Sequence, residues 1–118
     1  MKYMLMVHHK EAEVAKLPPE EMDRVVSAHA EYTEALRKAG VLVQGFRLRP
    51  GAEMVRIYQP QGPSGPRTTF DGPHAEMREV VGGYYILDCA TREEAVAWSK
   101  KCPMWDADTL ELRPVWEM

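Results

Sequence analysis

The sequence predicts an α+β fold, one antiparallel sheet with two helices on it, and three observations carry that prediction. Short β-rich runs alternate with two stretches of helical periodicity in the order strand, helix, strands, strand, helix, strand. The first run and the one opening at Tyr84 are apolar at both odd and even positions, so both faces of each strand want cover. The stretch Gln59-Pro60-Gln61-Gly62-Pro63-Ser64-Gly65-Pro66 cannot lie inside a sheet, so it marks the mobile tip of a hairpin and not a domain linker. Together these match a ferredoxin-like βαββ(β)αβ unit with an added hairpin, in a single domain spanning residues 1–118.

Each element has its own signal. From Lys2 to Val7, Tyr3, Leu5 and Val7 alternate with Met4 and Met6. His8-His9-Lys10-Glu11 then starts a polar connection, with the two imidazoles pointing to opposite faces as solvated strand-end residues. Pro18-Pro19-Glu20-Glu21 reads as a helix entry, because proline is tolerated in the first turn and acids suit the positive end of the dipole. Met22, Val25, Val26, His29, Tyr32, Thr33 and Leu36 follow at helical spacing, and Gly40 supplies the stop. Strands are expected over Val41–Phe46, Glu53–Tyr58 and Arg67–Phe70, and again from Tyr84 to Cys89. Thr91 with Glu94 forms a capping-box pattern for a second helix, whose inward stripe is Ala95, Trp98, Ser99 and Cys102 and whose end is Pro103. Leu110 and Leu112 alternate with Glu111 and Arg113 in a last strand, where Pro114 implies an edge or a bulge.

Composition narrows the function classes. Fifteen Lys and Arg are scattered among 18 Asp and Glu, for a net charge of −3, which disfavours nucleic-acid binding because backbone recognition needs concentrated positive charge. No apolar run approaches a membrane span, and the first residues lack a cationic stretch and a cleavage site, so the expected address is the cytoplasm with no membrane contact. Cys89 and Cys102 form neither a CxxC pair nor a disulfide framework and read as reduced packing residues. No glycine-rich phosphate loop, nucleophile elbow or zinc pattern is present, so no cofactor and no metal are expected.

Residues 71–83 are the most informative segment. Gly72 can take a positive φ, Pro73 fixes its own φ, and Asp71 can bond nearby amides, so the turn sets the directions of His74 and Glu76. A carboxylate beside an imidazole suits acid–base work, which makes His74 and Asp71 the catalytic candidates. Gly72, Pro73, Glu76, Arg78 and, on the first helix, His29 are the candidates for binding a small molecule. Plainer roles stand beside these. In these, Asp71 serves only the turn amides, His74 only packing, and His29 only a core or boundary position with one hydrogen bond. Arg47, Arg49, Arg56 and Arg67 could attract an anionic small molecule or form the wet face of edge strands. Trp98, Trp105 and Trp116 suit burial in a core or a dimer seam.

Asp71-Gly72-Pro73, Ala75-Glu76, Glu79 and the Gly82-Gly83-Tyr84-Tyr85 strand entry resemble the DGPF motif of the YCII-related proteins. The likeness extends to the opening Met1-Lys2-Tyr3-Met4-Leu5-Met6, to Pro19-Glu20-Glu21, to Ala39-Gly40-Val41-Leu42 and to the closing Leu112-Arg113-Pro114-Val115. His74 stands where the motif usually has Phe, and Met77-Arg78 where it usually has Thr-Lys. The resemblance implies a dimeric α+β barrel. The residues point the same way, because two helices cover one sheet face and the apolar other face calls for a second copy. It also implies a small organic molecule bound in a cleft near residues 71–79. One reading adds isomerase, lyase or dehydrochlorinase chemistry; the alternative is a non-catalytic small-molecule-binding or regulatory accessory protein. Parts of the wider group are expected to use a helix histidine with an aspartate, but the motif around that histidine is absent near His29, so the role is not carried over.

Overall fold

Lys2–His9 forms strand β1, and both of its edges are paired, which places the most apolar run of the chain inside the sheet. The computed structural model describes residues 1–74 and 76–117; Ala75 of the motif and Met118 lie outside the described residues. After β1 come a single turn α1 (Glu11–Val14), the long helix α2 (Pro19–Lys38), β2 (Leu42–Arg47), β3 (Val55–Tyr58), β4 (Thr68–Asp71), β5 (Val80–Asp88), α3 (Arg92–Ser99) and β6 (Thr109–Pro114). The four-stranded sheet has the order β2-β5-β1-β6 and is antiparallel throughout, while β3 and β4 pair separately as a hairpin. This is the expected α+β, ferredoxin-like arrangement with its added hairpin. Pro114 lies on an edge strand, where its missing N–H breaks no ladder.

Helix α2 begins with Pro19 at its first position and ends on Gly40 at φ 73°. There the N–H of Val41 reaches the carbonyl of Leu36 and that of Gly40 reaches Arg37, which satisfies carbonyls the helix would otherwise leave open. Thr91 caps α3 by accepting from the Glu94 N–H at 3.1 Å, and Glu94 returns to the N–H of Ala90, one residue before the cap.

One face of the sheet is dry. Tyr3, Leu5 and Val7 of β1 and Tyr85 and Leu87 of β5 pack with Tyr32 and Leu36 of α2 and Ala95 of α3, and burying each large side chain contributes roughly 1.5–3 kcal/mol. Cys89 and Cys102 are free thiols in this same core, and burial pushes Cys102 up to about 12, so it stays protonated. On the opposite face the register sets Met4 beside Ile86 and both Met6 and Phe46 beside Tyr84, and this set lies outside the core cluster, with Phe46 61% exposed.

The differences from expectation are local. β5 starts at Val80, four residues before Tyr84, and β1 runs on to His9, because these two extensions pair with each other across a bulge at Val7/His8. α1 was not legible, since one helical turn contains no period to read. Trp105 is buried, whereas Trp116 is 90% exposed and joins no core. Leu36 is fully buried where α2 meets the sheet, so Leu36→Ala is expected to cost about 2–5 kcal/mol in urea unfolding, with the fold retained.

Candidate functional site

Glycines clear the floor of a cavity. Across the sheet, Arg47 of β2, Gly83 of β5 and Val7 of β1 form one row on the helix side, and Gly45, Tyr85 and Leu5 form the next. Gly83 puts no side chain in the first row. In the second, a Cβ at position 45 would come within 2.7 Å of the Tyr85 ring, so Gly45 gives that ring its space. Gly82 sits in the bulge, and a Cβ there would lie 1.9 Å from Cδ2 of His9: the imidazole occupies the volume that any side chain at 82 would need. Above this floor α2 supplies Val25, Val26, His29 and Thr33, and the space between holds about 260 Å³. An adjoining depression of about 520 Å³ shares His9, Arg47, Gly82 and Trp105 as walls.

Two hydrogen-bonded pairs border the cavity. At one end His9 Nδ1 donates to Oδ1 of Asp108 at 2.8 Å, and Oδ2 of Asp108 accepts the Trp105 N–H at 2.9 Å. The Asp108 side chain is 1% exposed, so this carboxylate is held by two donors in a dry position. The turn 105–108 that carries it is closed by the N–H of Asp108 bonding the carbonyl of Trp105, and the Trp105 ring lies 5.0 Å from that of His9. With Nδ1 engaged, Nε2 of His9 lies over Gly82 without a hydrogen-bond partner among the described residues. That tautomer leaves Nε2 as the basic nitrogen.

The second pair is His29 and Tyr85. His29 Nδ1 and the Tyr85 hydroxyl are 2.7 Å apart and their rings are stacked at 15°. Burial lowers the pKa of His29, and the charges of His9 and Arg47 push the same way, against Asp108 and a hydrogen bond toward Pro103. Burial likewise raises Tyr85, so near neutral pH both groups are uncharged and the hydroxyl donates to the imidazole nitrogen. Thr33 Oγ1 donates to the His29 carbonyl at 2.8 Å, which directs this hydroxyl into its own helix.

The residues singled out from sequence are divided by the fold. Gly72 has φ 84° and donates its N–H to the Met54 carbonyl at 2.7 Å, so the turn has the geometry its composition implies. His74 is exposed and its Nδ1 accepts the Glu76 N–H at 3.1 Å; among the described residues no hydrogen bond or ion pair joins it to Asp71, which is also exposed. Pro73, Glu76 and Arg78 share this outer turn, and none of the described residues 71–74 and 76–79 lines the cavity. His29 does line it. His9, expected from its polar neighbours to be a solvated strand-end group, has a side chain only 17% exposed. The reason is pairing: β1 and β6 run antiparallel with His8 opposite Thr109, which brings Asp108 beside His9 from 99 residues away. Of the arginine group, Arg47 alone among the described residues borders the cavity under α2, while Arg49 lines the adjoining depression and pairs with Glu53 and Arg56 lies over the Tyr58 ring. No cluster that could hold a metal occurs among the described residues.

A family model for the YCII-related domain matches residues 1–118. The chain belongs to the YCII-related family. It is also similar to an uncharacterized protein of Rhizobium meliloti (strain 1021), at 26% identity over 117 residues, 98% of this chain and 92% of that protein. Among the described residues no helix of this YCII-related protein is long and apolar enough to cross a membrane.

The lowered pKa of His29 has a consequence for stability. Between its folded value and the unfolded value of about 6.5, the unfolded chain binds more protons than the folded one. The neutral ring therefore costs nothing above about pH 6.5, and stability falls as the pH drops toward and through the folded value. Urea unfolding at about pH 7.5 and about pH 5 should show a smaller loss for His29→Asn than for wild type. Equal losses would contradict the burial of a neutral ring.

Proposed function

We propose that this YCII-related protein binds a small organic molecule in the glycine-floored cleft and transfers a proton on it through His9, with Asp108 holding the imidazole tautomer. The observation that carries this reading is the 2.8 Å His9–Asp108 bond at the end of a cavity of about 260 Å³, with Nε2 left unbonded among the described residues. A buried carboxylate, an imidazole and an adjoining apolar space suit isomerase or lyase chemistry, in which a carbon-bound proton is removed or returned. The neutral Tyr85 hydroxyl and His29 supply hydrogen-bonding groups on another wall of the cleft. This moves the proposed centre away from Asp71 and His74, which have the residue types but neither a shared bond nor the cavity.

A screen of small carbonyl compounds for proton exchange or elimination tests the assignment. His9→Gln should lower turnover by about 10²–10⁴-fold. Gly82→Ala should lower it too, by driving the ring out of place, while His74→Ala and Asp71→Ala retain it. Loss of activity in His74→Ala with retention in His9→Gln would return the chemistry to the 71–79 turn.

The same reading includes a homodimer. Met4, Met6, Tyr84 and Phe46 form an apolar set on the sheet face away from the helices, and Val55, Ile57 and Phe70 of the hairpin are each more than half exposed. A two-stranded hairpin is marginal by itself, and the radius of gyration of 16.5 Å exceeds the roughly 13–14 Å of a compact chain this long. A second copy would cover these surfaces. Light scattering should give twice 13.5 kDa, and Met6→Glu should shift the mass toward a single copy. A wild-type protein of one chain mass in dilute solution would remove the dimer.

A further inference from the structure

We infer that the cleft takes a small organic anion, a monocarboxylate with an apolar body, and that Arg47 is the residue that selects it. This deepens the proposed function and rests on the cleft being the binding site. Arg47 is on edge strand β2 opposite Gly83, so no side chain from the neighbouring strand stands between it and the floor. It borders both the cavity under α2 and the adjoining depression, and among the described residues it is the sole arginine on the wall of that cavity.

The charges around it are otherwise committed. Arg24, Arg37 and Arg49 are each paired with a glutamate, whereas Arg47 has no ion-pair partner among the described residues. Asp108, the buried acid beside the cavity, is bonded through both oxygens to His9 and to the Trp105 N–H. Glu11, in the adjoining depression, accepts the Gly51 N–H through Oε1. Burial keeps His29 neutral. Among the described residues the guanidinium is thus a cleft cation without an ion-pair partner, and its fork matches the two oxygens of a carboxylate. Val25, Val26 and Trp105 offer apolar surface for the rest of the molecule. A carboxylate held at Arg47 would lay that body over Gly83 and Gly82, toward Nε2 of His9.

The test uses phenylacetate and its neutral isostere phenylacetamide, titrated near pH 7 while the imidazole resonances of His9 and His29 are followed by NMR. Phenylacetate is expected to bind at least about tenfold tighter than the amide, the effect of one charged hydrogen-bonding pair, and to weaken with added salt. In Arg47→Gln that preference should fall to within about twofold with the affinity for the amide unchanged, and Arg37→Gln, altered on the exposed side of α2, should behave as wild type. Equal affinity for acid and amide, or a preference that survives Arg47→Gln, would overturn the role of Arg47 and leave the cleft reading standing. If neither compound shifts the His9 or His29 resonances, the cleft reading falls and this inference with it.

Discussion

A sheet with two helices has only one face it can dry, and the rest of the molecule follows from how that face is filled. Tyr3, Leu5 and Val7 alternate out of β1 toward α2 and α3, and Tyr85 and Leu87 of β5 meet them in register. A slip of one residue would send this whole set to the opposite side, so hydrophobic burial fixes the pairing of β1 with β5. That pairing in turn fixes where the chain can leave space. Toward the Tyr3 end of β1 the face is solid with Leu87 and Tyr85; toward Val7 and His9 the facing strand offers Gly83 and the bulge residue Gly82, and the core gives way to a cavity.

The cavity is therefore a product of omission. Three glycines withhold side chains from the floor, and each omission admits or exposes something specific: the Tyr85 ring beside Gly45, the His9 ring over Gly82, and the open ground between Arg47 and Val7 at Gly83. The bulge at Val7/His8 adds the offset that brings Gly82 under the imidazole. The polar groups are held by neighbours and not by solvent. Asp108 bonds the Trp105 backbone as well as His9, and Tyr85 bonds His29 while meeting Tyr32 edge-on at 5.3 Å. Such interlocked contacts keep side chains in one geometry, which is what a site for proton transfer or ligand selection requires.

Much of the fold was legible from periodicity and punctuation. The Tyr3-Leu5-Val7 alternation, the stripe from Val25 to Leu36, the stop at Gly40, the cap at Thr91 and the edge position of Pro114 all appear where local chemistry puts them. The candidate site was legible only in part. Asp71 and His74 are close in sequence and share an outer turn, where each faces solvent. His9 and Asp108 are 99 residues apart, and each looks ordinary in its own segment: one closes a polar strand end, the other sits in a turn before β6. Only the antiparallel register of β1 with β6 makes them neighbours.

By itself the sequence determined the α+β class, the order of elements, the face of α2 that is buried and the positive-φ turn at Gly72, because each depends on residues within a few positions of one another. The tertiary structure decided which imidazole meets a carboxylate, which arginine reaches a cavity and what the glycines of β2 and β5 are for. These depend on strand pairing and on a bulge. Such long-range geometry is set by the burial of the whole sheet face at once, and no local pattern encodes it.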